Sequence, residues 1–215
     1  MSKPQISRAL TRLVMASGNA GKLREFDRLL QPLGVQVSSQ ASLGVDPAEE
    51  PYETFVENAL AKARHASAQT GLPALADDSG ICVPALGGLP GVRSARYAEA
   101  AGGSSQDALN NAKLVHALAP YDDKRAYYVA VLVFVMQADD PLPIIAQGLW
   151  HGEVIETAQG SHGFGYDPHF WLPELSVTAA ALEPSRKNQI SHRAQAMKAL
   201  VRQLTDRGLV LATTV

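Results

Sequence analysis

A glycine-bearing loop with a lysine stands near the start of the chain, in SGNAGK, Ser17 to Lys22. The apolar run before it, Leu13 to Ala16, predicts a buried strand, and apolar residues at helical spacing predict a helix from Lys22 to Leu30. A strand, a glycine loop and a helix together present backbone N–H groups and the positive end of a helix, which suit phosphate. Lys22 would add a mobile positive charge beside them. The pattern favours a phosphate-binding loop over its alternative, an ordinary strand-to-helix turn.

This loop differs from a P-loop. A P-loop has four residues between its first glycine and Gly-Lys, followed by Ser or Thr. Here two residues separate Gly18 from Gly21, and Leu23 follows the lysine. Because no hydroxyl stands there to hold Mg²⁺, any metal must be bound by other residues.

Carboxylates form a second group of candidate residues. Asp77 and Asp78 open the segment DDSG directly after an apolar run at 72–76 that predicts a strand, and Glu50 lies in a polar loop. Ligands of open α/β sheets bind outside the carboxyl ends of the strands. A turn at the Ser-Gly pair would bring one aspartate into such a site, where Glu50 with Asp78 would suffice to anchor Mg²⁺. The alternative is that DDSG is a capped turn.

A third group lies in SHGFGYDPHF, residues 161–170. Two glycines flank Phe164, so the backbone can approach a flat ligand and the ring can stack on a base. Asp167 could accept a hydrogen bond from a ring N–H, or it could cap a turn before Pro168. The segment is therefore either a base pocket or a structural turn.

The basic segment SRKNQISHR, residues 185–193, leads into a helix predicted from Ile190 to Leu204. Cations at a helix N-terminus oppose the helix dipole unless an anion lies there. We therefore expect Lys187, His192 and Arg193 to contact phosphate or base. The alternative is a solvated basic turn.

Composition excludes several classes of protein. The chain has 215 residues, 46% of them hydrophobic, and a formal net charge of −2, so it lacks the basic character of a nucleic-acid backbone binder. Cys82 is its single cysteine, which fits a reducing compartment and gives no disulfide framework. Residues 1–11 lack the apolar core of a signal peptide, and no apolar run approaches membrane-spanning length. We expect a cytoplasmic protein that binds neither membrane nor nucleic acid.

The order of predicted elements is α/β, with a strand-rich middle. A capping box at Thr54 and Glu57 predicts a helix that ends at Gly71. Further strands are predicted at 35–38, 81–86, 125–137, 142–150 and 153–157, and a further helix at 104–118. This order predicts a mixed sheet flanked by helices, in a single domain over residues 12–207 with an N-terminal extension at 1–11.

Taken together and in this order, the segments closely resemble the non-canonical purine nucleoside triphosphate pyrophosphatase family, the inosine triphosphatase or Ham1-like enzymes. The matching segments, between Leu13 and Leu204, are SGNAGKLREF, the EE of Glu49-Glu50, FVENALAKA, LADDSG, LGGLPGVRSARYA, GFGYDP and KNQISHR. The resemblance implies Mg²⁺-dependent hydrolysis of ITP, dITP and XTP to the monophosphate and pyrophosphate. It also implies a homodimer and an elongated two-lobed α/β fold with its active-site cleft between the lobes.

The resemblance assigns roles to individual residues. It implies that Asp78 is the proton acceptor and that Glu50 and Asp78 belong to the metal site, with Asp77 the alternative to Asp78 for either role. Lys22 would act on the phosphates during catalysis. The residues implied to bind substrate are Ser17, Gly18, Asn19, Ala20, Gly21, Lys22, Ser79, Phe164, Gly165, Tyr166, Asp167, Lys187, His192 and Arg193.

Two functions from other classes fit parts of the same pattern. A phosphotransferase would use the phosphate loop but would need an acceptor site, and it would produce a nucleoside diphosphate. A non-catalytic nucleotide sensor would bind without turnover, but it would have little need for carboxylates beside the phosphates.

Overall fold

The computed structural model of the chain describes residues 9–18, 20–98 and 104–211. The α-helices are α1 (Ala20–Leu30), α2 (Phe55–Thr70), α3 (Ser104–Leu118), α4 (Pro184–Ile190) and α5 (His192–Asp206). The strands are β1 (Arg12–Met15), β2 (Gln36–Ser39), β3 (Ala74–Cys82), β4 (Arg125–Val135), β5 (Ile144–Val154), β6 (Phe170–Leu172) and β7 (Val177–Thr178). Within the described residues, no helix is long and apolar enough to span a membrane.

The strands form one seven-stranded sheet in the order β2-β1-β3-β4-β5-β6-β7. β1 is parallel to both of its neighbours, with Leu13 opposite Val37 and Val14 opposite Ala74. β6 is antiparallel to β5 and to β7. The mixed sheet flanked by helices that the sequence predicts is therefore confirmed. Because β1 lies between β2 and β3, the chain reverses its direction across the sheet at β1, and such a reversal forms a ligand crevice at the carboxyl ends of the strands.

The chain forms two compact units. The first unit comprises the described residues up to Asp78, residues 131–146 and the described residues from Ala196 onward. Its core includes β1, which is almost fully buried over Leu13 to Met15, and the apolar face of α1, where Phe26 and Leu30 are each 1% exposed. Phe26 and Leu30 lie four residues apart, so they share one face of the helix.

The second unit comprises residues 79–130 and 147–195. Its core is rich in aromatic side chains, with Tyr128, Trp150 and Phe170 buried together. The ring centroids of Tyr128 and Phe170 lie 4.6 Å apart, and those of Trp150 and Phe170 lie 5.5 Å apart. These distances fall in the range of favourable aromatic pairs.

The predicted capping box opens α2. The Thr54 hydroxyl oxygen accepts the Glu57 backbone N–H at 3.3 Å, and the hydroxyl donates to the Glu57 carboxylate at 2.6 Å. The helix ends at Gly71, which has the left-handed φ of 66° that glycine adopts without steric cost. Both predicted ends of this helix are confirmed.

The predicted turn at DDSG is wrong. Asp77 and Asp78 lie inside β3, which runs without a break from Ala74 to Cys82. Aspartate, serine and glycine favour turns, but here both carboxylates are paired with lysines from helices, so tertiary contacts outweigh local preference. The predicted strand at 81–86 ends at Cys82, because residues 84–86 form a 3₁₀-helix with proline in its first turn.

Two further boundaries differ from the prediction. The strands predicted at 142–150 and 153–157 are one strand, β5. Gly152 does not mark a turn in it: an added Cβ there would lie 2.5 Å from the Trp171 carbonyl oxygen, so glycine permits a close approach within the sheet. The last helix begins at His192, and the basic segment before it forms the separate helix α4.

Candidate functional site

The predicted phosphate loop leaves the carboxyl end of β1. Ser17 is half-buried and Gly18 is exposed. Helix α1 begins at Ala20, so Gly21 and Lys22 lie in its first turn, where backbone N–H groups point toward the N-terminal end of the helix. Asn19 lies outside the described residues.

Lys22 is held by a buried carboxylate. The last residue of β1, Met15, is opposite Leu75, and the Ala16 N–H donates to the Leu75 carbonyl at 2.8 Å. Because the strands are parallel, β3 continues past the end of β1 to Asp77, beside the loop. Lys22 Nζ lies 2.7 Å from Asp77 Oδ2, and the Asp77 side chain is fully buried. Asp77 thereby holds the Lys22 ammonium group beside the loop.

Asp78 belongs to a second ion-pair cluster. Lys62 Nζ of α2 lies 3.0 Å from Asp78 Oδ1 and 3.2 Å from Glu50 Oε1. Successive strand residues point to opposite faces of a sheet, and Asp77 reaches α1 while Asp78 reaches α2. The two helices therefore bring one lysine each to opposite faces of the middle of β3.

Sequence reasoning gave no role to Lys62, although FVENALAKA is one of the segments that carry the family resemblance. The helical spacing of buried residues around Lys62 does indicate a role for it. Ala59 and Ala66, three residues before and four after it, are fully buried. Lys62 therefore lies on the buried stripe of α2, where a lysine needs a carboxylate partner.

Burial and charge shift the pKa values of this cluster. Burial raises the pKa of Asp78, opposed by the Lys62 ammonium and reinforced by Glu50 and Asp77. Burial works against the charge of Lys62, but the attraction of Asp78 and Glu50 outweighs it and raises the pKa of Lys62. The cluster thus combines a permanently charged lysine with a carboxylate whose basicity is increased.

The carboxylates fit a magnesium ion. Asp78 Oδ2 is buried, and it has no hydrogen-bond partner among the described residues. The other Asp78 oxygen and Glu50 Oε1 already converge on one cation, the Lys62 ammonium. Among the described residues no three His, Cys, Asp or Glu side chains group closely enough to form a complete metal site. Two carboxylates with waters and substrate phosphates are nevertheless the usual ligand set of Mg²⁺.

In the second unit, the Asp167 side chain forms hydrogen bonds within the GFGYDP turn and next to it. Its Oδ2 accepts the Phe164 N–H at 3.0 Å and the Lys187 ammonium, and the Tyr128 hydroxyl also donates to this carboxylate. Gly163 has a φ of 81°, and a Cβ added to it would collide with Asp167 Oδ2. Asp167 therefore caps the turn, and a contact between Asp167 and a base stays a prediction.

Phe164 offers an exposed aromatic face next to two cations. Its side chain is 58% exposed. Lys187 Nζ lies 5.3 Å from the ring centroid, and Arg193 Cζ lies 6.0 Å from it. Both distances allow cation–π attraction. The predicted residues Phe164, Lys187 and Arg193 thus form one group, which suits stacking by a base.

His192 and Tyr166 are buried within the same unit. The His192 ring stacks on Tyr128, with 4.7 Å between the centroids and 10° between the planes. The Tyr166 hydroxyl donates to the Ser94 carbonyl at 2.8 Å, and burial raises the pKa of Tyr166. The Tyr166 side chain therefore supports the fold, and Ser79 lies half-buried in β3.

Comparison with known proteins identifies the family of the chain. The Ham1 family model matches residues 13–203. A dITP/XTP pyrophosphatase of Bordetella pertussis is 60% identical over 98% of this chain and 99% of its own length. One from Ralstonia nicotianae is 63% identical over 91% of this chain and 97% of its own.

Solved structures show the same fold. A Ham1 protein from Coxiella burnetii has a TM-score of 0.87 at 44% identity, covering 92% of this chain and all of that one. A Ham1 protein from Staphylococcus aureus has a TM-score of 0.82 at 36% identity, covering 91% of this chain and 99% of that one. The resemblance drawn from the motifs is confirmed, and the chain belongs to the Ham1 family.

Proposed function

We propose that the protein hydrolyses the deaminated purine nucleotides ITP, dITP and XTP to the monophosphate and pyrophosphate, with Mg²⁺ as cofactor. The observation that carries the proposal is the buried Asp78, whose second carboxylate oxygen has no hydrogen-bond partner among the described residues. It is the residue after Asp77, which holds the lysine of the phosphate loop. The names of the relatives, dITP/XTP pyrophosphatase, support the same reaction.

The loop and its lysine are proposed to bind the phosphates. The first-turn N–H groups of α1 and the positive end of its dipole favour an anion. Lys22 is anchored by Asp77, so its charge is placed before the substrate arrives. A fixed charge stabilises the negative charge that grows on departing pyrophosphate without a reorganisation cost.

Asp78 is proposed to take the proton of the attacking water. Its raised pKa brings the carboxylate closer to the basicity that a general base needs near neutral pH. Asp78 and Glu50 would hold Mg²⁺, which when bound supplies a Lewis acid that lowers the pKa of water and offsets phosphate charge. Asp77 is the less suited of the two aspartates, because its side chain is fully buried, whereas the side chain of Asp78 is 11% exposed and can meet a water.

The Phe164 group is proposed to bind the base. The exposed ring provides the stacking surface, and Lys187 and Arg193 provide N–H donors next to it. Donors suit the 6-oxo group of hypoxanthine and xanthine, whereas the 6-amino group of adenine would place donor against donor. A polar site of this kind discriminates strongly between such bases.

Product analysis tests the proposal. The protein is incubated with Mg²⁺ and ITP, dITP, XTP or ATP, and pyrophosphate, orthophosphate and nucleotides are quantified. We expect pyrophosphate and monophosphate from the first three and hardly any product from ATP. A diphosphate product would indicate a phosphotransferase, and binding without turnover would indicate a sensor. Equal turnover of ATP and ITP would contradict the proposed specificity.

The resemblance also supports a homodimer in the cytoplasm. Light scattering after size exclusion would give twice the mass of the chain for a dimer and the mass of one chain for a monomer. A monomer that hydrolyses ITP at full rate would remove the homodimer from the proposal and leave the reaction intact.

A further inference from the structure

Helix α3 forms hydrogen bonds with both backbone polar groups of one residue in the GFGYDP turn, Gly165. Asp107 Oδ2 accepts the Gly165 N–H at 2.7 Å, and Asn111 Nδ2 donates to the Gly165 carbonyl at 2.8 Å. Asp107 and Asn111 are four residues apart, so they lie on one face of the helix. Asp107 supplies an acceptor and Asn111 a donor to the N–H and the C=O of this one residue, and we call the pair of contacts the α3 clamp.

The orientation of the Asn111 amide is fixed by its contacts. Its Nδ2 donates to the Asp107 carbonyl at 2.8 Å and to the Gly165 carbonyl at the same distance. A flipped amide would place its oxygen against both carbonyls. Asn111 is 8% exposed, so a lost hydrogen bond there is not replaced freely by water.

The turn depends on such contacts because Gly163 and Gly165 have no side chains with which to pack. Gly163 and Gly165 have left-handed φ values of 81° and 63°, and a Cβ added to Gly165 would meet no described atom within 4 Å. A cavity of about 840 Å³, lined by residues 163–165 together with Asp107 and Asn111, borders the turn. Polar contacts therefore position residues 163–165, whereas the next residue, Tyr166, is packed in the core.

Two sets of hydrogen bonds therefore position Phe164. Asp167 accepts the N–H of Phe164 itself, and the α3 clamp holds the next residue, Gly165. Its ring, beside Lys187 and Arg193, is the surface assigned to the base. A shift of Gly165 would move this ring relative to both cations.

We propose that Asp107 and Asn111 are positioning residues for base recognition: they set the orientation of Phe164 without touching the nucleotide. This inference rests on the proposed function. It implies that loss of the clamp weakens ligands that contain a base and spares ligands that contain phosphate alone.

The test compares binding of IMP with binding of pyrophosphate, both by calorimetry, in the full-length protein with Mg²⁺. We expect Asn111→Asp to weaken IMP binding and raise KM for ITP on the order of tenfold, the effect of about one buried hydrogen bond. Pyrophosphate affinity and kcat should stay within about twofold. Asp107→Leu should act alike, whereas Asp107→Asn, whose amide oxygen can still accept the Gly165 N–H, should restore most of the IMP affinity.

Asn110→Leu is the matched control. Asn110 is also buried on α3, but its side chain bonds to residues 94, 95, 98 and 106 and makes no hydrogen bond to residues 163–167. The Asn110→Leu variant should have a lower melting temperature. It should not weaken IMP binding more than pyrophosphate binding. Equal weakening of IMP and pyrophosphate by the clamp variants, or the same separation in Asn110→Leu, would overturn the inference.

The two proposals fail differently. If the wild type binds IMP but releases no pyrophosphate from ITP, the proposed reaction is wrong and the clamp variants still test base positioning. If the wild type is active and the clamp variants leave IMP affinity unchanged, only the clamp is wrong. Should Asn111→Asp fail to fold, Asp107→Leu and Asp107→Asn decide the matter by the same comparison.

Discussion

The two clusters of predicted site residues are built in different ways. The acidic cluster of the first unit joins Glu50, Asp78 and Lys62, of which Asp78 lies on a strand and Lys62 on a helix, through direct ion pairs. The aromatic cluster of the second unit lies on a glycine turn, whose position depends on Asp167 and on the α3 clamp. Regular elements hold charge rigidly, whereas a turn takes the orientation that its contacts impose. The difference suits phosphate chemistry in the first unit and base selection in the second.

The largest effect that separates the clusters is expected from Asp78→Asn. Neutralising the proposed general base should lower kcat on the order of 10²-fold or more. IMP binding by the aromatic cluster should persist, and circular dichroism should show an intact fold. Asp123→Asn, an acid-to-amide change at an exposed position paired with Arg125, is the control. A near-normal kcat in Asp78→Asn would transfer the role to Asp77 or to neither aspartate.

The next largest effect concerns pH. The Lys62 ammonium lowers the pKa of Asp78 against the effect of burial, so the acid limb of the kcat/KM profile should depend on Lys62. At a fixed Mg²⁺ concentration Lys62→Met should move the limb to higher pH, and activity should be lost most at acidic pH. Lys113→Met, which removes a lysine bound to the Tyr97 carbonyl, is the control. A limb that stays in place in Lys62→Met would exclude Asp78 as the titrating base.

A smaller effect links the clusters through one substrate. Lys22→Ala and Lys187→Ala should each lower kcat/KM for ITP by about tenfold, and the double variant should lose less than the sum of the two free energies, because both lysines would contact the same nucleotide. Additive losses would instead indicate separate sites. The measurement is a double-mutant cycle of kcat/KM.

The loss of Lys22 should also change the stability of the protein. From the sequence, Lys22 is expected to be a mobile positive charge beside the phosphate loop. The structure instead pairs Lys22 with the fully buried Asp77, so Lys22→Ala should reduce the free energy of unfolding on the order of 3 kcal/mol. Adding Asp77→Asn should recover part of that loss, because the buried charge is removed with its partner. Urea titration of the single and double variants measures both changes.

The smallest effect is expected at the start of α2, the helix that carries Lys62. Thr54→Ala removes the N-cap and should reduce the free energy of unfolding by about 1 kcal/mol. IMP binding should not change. A selective loss of IMP affinity would show that the aromatic cluster depends on α2, contrary to the separation of roles.

Local signals made much of the fold predictable. The capping box and Gly71 define α2, and the dense run of Val, Tyr and Phe defines β4. The prediction of a turn at DDSG was wrong because Lys22 and Lys62 pair with the aspartates from other elements. No local sequence pattern indicates such pairs.

The candidate site was predictable in residue types but not in connections. The motifs name Phe164, Asp167 and Lys187, which the structure brings together. They do not reveal the contact of Asp107 with Gly165, since these residues are 58 positions apart and their pairing depends on how α3 packs. Lys62 was overlooked because its significance lies in the buried stripe of α2 rather than in a motif.

Hydrolysis of ITP in ¹⁸O-labelled water shows which phosphorus atom the water attacks. In the proposed reaction, Asp78 accepts a proton from water as that water attacks the α-phosphorus. The label should therefore appear in IMP, with unlabelled pyrophosphate as the other product, as determined by mass spectrometry. Label in pyrophosphate or in orthophosphate would mean attack at another phosphorus atom and would contradict the proposed reaction.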